Sequence, residues 1–226
     1  MNGSDIERLK AALGHHFERP ELLEEAVTHR SAPGTNNERL EFLGDAILNF
    51  VIASELFERR PQESEGILSR LRASLVNRAS LANLARELEL GRYLRLGSGE
   101  LKSGGQRRDS ILADALEAVF GAVYLDGGYE AAKRLILRLY DECLQNLPAA
   151  TELKDPKTRL QEYLQATRQT LPTYSVLEIS GKAHDQSFRV RCHVAENEQS
   201  TEGVGGSRRQ AEQRAAEAML EVLHRT

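Results

Sequence analysis

The sequence predicts a two-part chain, an all-α unit followed by a small α+β unit of order α-β-β-β-α. Three observations predict it. Up to about residue 147, apolar residues recur every three or four positions. Further on, "FRVRCHV" alternates strictly: Phe188, Val190, Cys192 and Val194 face one way, Arg189, Arg191 and His193 the other. That is the pattern of a half-buried strand. Between the two lies "PAATELKDP", whose composition is that of a linker. The boundaries read this way are 1–147 for the helical unit, 148–154 for the linker and 155–226 for the second unit.

In order, the helical segments are "DIERLKAAL", "PELLEEAVTH", "ERLEFLGDAILNFVIASELFER", "EGILSRLRASLVN", "ASLANLARELEL", "DSILADALEAVFGAVYL" and "YEAAKRLILRLYDECL". Pro20 sits where a first-turn proline belongs. Gly91 is expected to close its helix as a C-terminal glycine. "LGSGELKSGGQRR" (96–108) reads as a glycine-rich loop, and its glycines do not fit a phosphate-cradling fingerprint. "DGGYE" (126–130) breaks the last two helices apart. After the linker, "PKTRLQEYLQA" is a helix, "TYSVLEIS" and "EQSTEGVGG" flank the central strand, and "SRRQAEQRAAEAMLEVLH" is a closing helix capped by Ser207. Such an order makes a small antiparallel sheet with both helices on one face.

The bulk composition narrows the class. Apolar residues make up 40% and charged residues 28%, as in a globular protein. No long uncharged apolar run predicts a membrane helix, and "MNGSDIERLKAALG" does not read as a signal peptide. Cys143 and Cys192 stand far apart without a partner motif, which argues against a disulfide framework or a zinc site and fits a reducing cytoplasm. A net charge of -4 argues mildly against a nucleic-acid binder. From Asp155 onward, ten Lys and Arg face ten Asp and Glu, so any basic surface there must be a local patch.

The segment "TNNERLEFLGDAIL" carries Glu38, Glu41 and Asp45 among apolar residues. On a helix these acids fall within about 60° of one another, with Leu40, Leu43, Ile47 and Phe50 on the other side. A solvated acidic face is one reading. For Glu38 a capping box from Thr35 is another. Two details weigh against the solvated face. Phe42 points to the acid side, where something is expected to cover it. And "SILADALEAVFGAVYLDGG" repeats the arrangement, with Asp114 and Glu117 on one edge, Ile111, Ala115, Val119 and Val123 broadly opposite or beside it, and Ala118 and Gly121 small enough for a close neighbour. Two such helices would repel if packed acid to acid, unless a divalent cation such as Mg²⁺ lies between them. Glu65, in "PQESEG", is either a contributor from a third segment or an exposed loop acid.

These residues carry a resemblance. "NERLEFLGDAIL" resembles the signature of the ribonuclease III family, and "SILADALEAVFGAVYLDGG" its second acidic helix. "THRSA", "EGILSRLRASLVNRASLANLA" and "LGRYLRLGSGE" also follow the family pattern. "PKTRLQEYLQ", "LPTY", "GKAHDQSF" and "GVGGSRRQAEQRAA" resemble its double-stranded-RNA-binding domain. The resemblance implies an all-α endonuclease domain followed by an α-β-β-β-α double-stranded-RNA-binding domain. It implies a metal cluster of Glu41, Asp45, Asp114 and Glu117, with Asp45 and Glu117 catalytic and Glu38 and Glu65 in an extended acidic set. It further implies Mg²⁺ (with Mn²⁺ as a substitute), no small-molecule cofactor, a cytoplasmic location and a homodimer in which Phe42 inserts into the partner. The implied products have 5′-phosphate and 3′-hydroxyl ends with short 3′ overhangs, from ribosomal-RNA precursors and structured messenger RNA.

A-form RNA offers a wide, shallow minor groove lined with 2′-hydroxyls. Gln161 and Gln165, with Glu162, suit one such groove, and His184 in "GKAH" sits at a loop that could reach the next. Arg208 and Arg209 open the closing helix, where side-chain charge and free N–H groups hold phosphate. Each of these is also readable as an ordinary surface residue. Glu212 stands where related domains often carry a lysine, which is expected to weaken the patch. The rival to an enzyme is a duplex-RNA-binding protein whose helical part only dimerises, or a ribonucleoprotein scaffold. The complete acidic set separates them.

Overall fold

A computed structural model describes residues 3–148, 155–182 and 185–224. The chain divides into two compact units, Met1–Pro148 and Ala149–Thr226. The first is helical: α1 (Gly3–Leu13), α2 (Pro20–Ala26), α3 (Glu38–Arg59), α4 (Glu65–Leu75), α5 (Arg78–Glu87), α6 (Ser98–Lys102), α7 (Asp109–Leu139) and α8 (Asp141–Gln145). The second holds α9 (Pro156–Ala166), strands β1 (Thr173–Lys182), β2 (Asp185–Val194) and β3 (Gln199–Gly205), and α10 (Arg208–His224). Among the described residues no helix is long and apolar enough to cross a membrane.

The packing of α3 on α7 organises the first unit. Leu40, Ile47, Leu48, Val51 and Ile52 of α3 are buried, as are Ile111, Ala115, Val119, Phe120 and Val123 of α7. The crossing point has no side chains. A Cβ on Gly44 would stand 1.7 Å from the Glu117 carbonyl oxygen, and one on Gly121 would stand 2.3 Å from that of Leu40. Only glycine permits main chains to approach so closely. The expected break at 126–130 is a single residue wide: Gly128, at φ 76° and ψ −176°, interrupts α7.

Four expectations need correction. Gly91 does not close a helix, because α5 ends at Glu87 and the left-handed turn falls at Glu89 (φ 52°). Gly91 instead lies against the Gln106 main chain, where a Cβ would meet the carbonyl oxygen at 2.3 Å. The 96–108 segment is more than a loop, since it contains α6 and a 3₁₀ turn at Gly105–Arg107. Phe50 is 61% exposed, off the apolar face assigned to it, with its ring 5.8 Å from that of Tyr129. The capping box is absent because α3 begins at Glu38 with Asn37 at the cap position, so Thr35 is too early.

In the second unit the sheet order is β1-β2-β3, antiparallel throughout. Cys192 and Val194 are buried against Leu160 and Leu164 of α9 and Ala215, Ala216, Met219 and Leu220 of α10, and Val190 on the same strand is buried as well. The alternation of β2 therefore turns one face to a core made by both helices, and Arg189 and Arg191 outward. Ser207 Oγ accepts from the Gln210 amide at 3.2 Å, starting α10.

Candidate active site

The glycine crossing sets the spacing of the acids. Glu41 lies one turn before Gly44 on α3, and Asp114 and Glu117 lie on the facing stretch of α7. Carboxylate oxygens of these three residues all fall within 4.8 Å of one another. All three side chains are half-buried. Burial pushes the Glu117 carboxyl up to about 8, helped by the charges of Asp45, Glu41 and Asp114 and opposed by Arg78. Burial also raises Glu41, with Asp114 and Glu38 adding to it. Asp114 is raised by burial, while Arg78, His29 and Arg30 pull it back. A set of oxygen donors whose own charges oppose one another fits a hard divalent cation, which reverses the sign of that opposition.

The other predicted acids are placed differently. Asp45 is exposed, outside the converging three, and accepts from Asn49 Nδ2 at 2.8 Å. Its charge still acts on Glu117. Glu38 lines the same hollow as Glu41 and Asp114, and accepts from Arg30 Nη1 at 3.4 Å. Glu65 is not brought to the cluster. It opens α4, accepts from Ser69 Oγ at 2.6 Å, and shares a separate hollow with Phe57 and Leu68. Phe42 is 80% exposed, and Phe57 on the same helix is 71% exposed.

The hollow beside the cluster has a volume of about 750 Å³ and walls of mixed sign. Its cations are Arg30, Arg78 and Arg108, and His29 and Asn37 line it as well. Sequence reasoning missed Asn37, Arg78 and Arg108 as site residues. The signal that could have found them is weak: one amide and two cations scattered over three segments show no spacing in a linear chain.

In the second unit, Gln161 and Gln165 are exposed on α9. Arg209 is 83% exposed at its side chain, with the Asp155 carboxylate 3.9 Å away. His184 lies outside the described residues. Glu212 is not a loose surface charge. It is buried, and its carboxylate accepts from Lys157 Nζ at 2.6 Å and from Arg208 Nε at 2.9 Å. Burial alone would raise this carboxyl; the two hydrogen bonds hold it below its ordinary value. Lys157, also missed, lies 4.4 Å from the centroid of the Tyr174 ring. A saturated acid thus ties a cation of α9 to a cation of α10.

Comparison with known proteins places both units. Residues 19–143 match the family described as Ribonuclease-III-like, and residues 156–223 match the double-stranded RNA binding motif. Ribonuclease 3 of Alkalilimnicola ehrlichii is 62% identical over 215 residues, covering 95% of this chain and 94% of the relative. Ribonuclease 3 of Nitrosococcus oceani is 59% identical over 220 residues, covering 96% and 94%. Among solved structures, a nuclease domain of ribonuclease III from Campylobacter jejuni, described with a flexible region involved in dimer formation, superposes with a TM-score of 0.60. It is 46% identical and covers 61% of this chain and 96% of its own. A nuclease unit joined to a duplex-RNA-binding motif is the class of protein these features define. The chain belongs to the ribonuclease III family and is an endoribonuclease.

Proposed function

We propose that the protein is a Mg²⁺-dependent endoribonuclease that cleaves double-stranded RNA to 5′-phosphate and 3′-hydroxyl ends with short 3′ overhangs. The observation that carries this reading is the convergence of Glu41, Asp114 and Glu117, with Glu117 pushed up to about 8. These three would hold the ion, with Asp45 at the edge. Once bound, the ion supplies positive charge for the phosphodiester oxygens and acidifies water for attack. The chain's own part is electrostatic and positional. Burial and neighbouring acids make the Glu117 carboxyl keep its proton near neutral pH, so ion binding must release it, and affinity rises with pH. Asn49 fixes the rotamer of Asp45 through its hydrogen bond.

In this reading Glu38 lines the cleft and Glu65 belongs to the wider acidic set. Gln161, Gln165 and His184 address the minor grooves, and Arg208 and Arg209 the phosphates between them. The helical unit (1–147) is the catalytic and dimerisation domain, 148–154 the linker and 155–226 the RNA-binding domain. Two copies associate through α3, where the exposed Phe42 needs cover. Two such sites on one duplex would cut both strands, as the processing of ribosomal-RNA precursors and structured messenger RNA in the cytoplasm requires. The test is incubation of a long RNA duplex with Mg²⁺ and then with chelator, against single-stranded RNA and DNA of matched length. A duplex that is bound but stays intact with Mg²⁺ refutes the reading.

A further inference from the structure

We propose that Asn37 and Arg78 form a phosphate-holding subsite on the wall of the acid-floored hollow, donating to non-bridging oxygens of the RNA phosphodiester. This rests on the endoribonuclease reading above and assigns the part of the site that the acids cannot supply. A floor of carboxylates repels an anion; with a cation on it, the phosphate still needs donors on its outer side.

Asn37 is 3% exposed, yet its side-chain nitrogen has no hydrogen-bond acceptor among the described residues. It stands at the cap position of α3 without capping: no backbone amide is bonded to its side chain. Its main chain is held from both sides. The Asn37 amide donates to the Thr28 carbonyl at 2.9 Å, and its carbonyl accepts from the Glu41 amide at 2.8 Å. Thr28 is in turn bridged to Arg95, whose amide donates to Val27 and whose carbonyl accepts from His29. An unpaired buried amide is thus carried on a fixed backbone at the hollow's edge, four residues before a cluster carboxylate. Buried polar groups are nearly always paired, and an exception calls for a partner.

Arg78 is the first residue of α5 and lines the same hollow. Its charge lowers both Asp114 and Glu117, which places its guanidinium within electrostatic reach of the cluster. Arg30 and Arg108, on the same wall, are paired with Glu38 and Glu100. The Arg78 guanidinium has no ion pair or hydrogen bond among the described residues. A forked, permanently charged donor and an amide N–H are what a phosphodiester with two non-bridging oxygens takes.

The experiment uses the full chain, a perfect RNA duplex and inorganic phosphate as probe. Phosphate should raise the melting temperature of the wild-type protein in Mg²⁺ and inhibit cleavage competitively. Arg78→Gln should weaken the apparent phosphate affinity roughly tenfold and lower single-turnover cleavage roughly 10- to 100-fold. Duplex affinity, measured in a Glu117→Gln background, should change far less, since the second unit carries binding. Arg78→Lys should fall between, keeping charge and losing the fork. Asn37→Ala should act in the same direction. Because Asn37 is buried and its variant could fail to fold, the exposed Arg78 decides. Wild-type cleavage by Arg78→Gln, or an unchanged phosphate affinity, overturns the subsite. A wild-type protein that leaves duplex RNA intact sinks the endoribonuclease reading instead, while the melting experiment still tests the phosphate site.

Discussion

Replacing Glu117 with glutamine should destroy cleavage and yet make the metal-free protein more stable. The carboxyl is half-buried among three other acids and pushed from 4.5 up to about 8. At about 1.4 kcal/mol for each tenfold change in proton affinity, the unscreened cost of ionising it approaches 5 kcal/mol. Partial exposure to water screens that figure to about 1–2 kcal/mol. The direction follows from proton linkage. The unfolded chain releases this proton near 4.5 and the folded chain near 8, so stability falls as pH rises through that window. Glutamine removes the loss. In chelator, the two proteins should melt together at pH 5, and Glu117→Gln should melt roughly 2–8 °C higher above pH 8. Mg²⁺ should then raise the wild type and leave the variant little changed. If the variant is no more stable than the wild type in chelator above pH 8, the acids do not oppose one another, and the metal-site reasoning fails with them.

Gly44→Ala should separate α3 from α7, because its Cβ would stand 1.7 Å from the Glu117 carbonyl oxygen; cleavage should vanish and stability fall by about 1–3 kcal/mol, read by thermal unfolding. Glu212→Ala should strand Lys157 and Arg208, cost about 1–3 kcal/mol and weaken duplex binding at fixed salt. Tighter duplex binding would show instead that Glu212 merely subtracts charge. Phe42→Ala should shift the protein towards monomer in sedimentation at micromolar concentration, and an unchanged mass would remove α3 from the interface.

Periodicity made much of this legible. The acids of "ERLEFLGD" and "ILADALEA" share helix edges because polar and apolar positions segregate at 3.6 residues per turn. Gly121 was readable as a point of close approach, and the alternation of "FRVRCHV" placed the core of the second unit. What stayed hidden depends on partners distant in the chain. Phe50 looked apolar and inward on a wheel, but a wheel cannot say how wide the buried stripe is. Glu212 reads as a flaw in a basic motif until Lys157, 55 residues earlier, is brought against it. Asn37 looks like one more polar residue before a helix; its unpaired amide exists only in three dimensions. Glu65 is a further case, since its spacing in the sequence does not show that its carboxylate accepts from Ser69 outside the converging three.

Gly44 and Gly121 have a further consequence. Where main chain meets main chain, the distance between two helices is set by peptide atoms, which every sequence shares. The opening between Glu41 and Glu117 is thus insulated from drift in the surrounding core. Leucines and valines elsewhere along α3 and α7 can be exchanged and repacked while the ruler at their crossing keeps its length. The same insulation makes the centre brittle at these two positions, where the smallest possible addition, one methyl group, has nowhere to go.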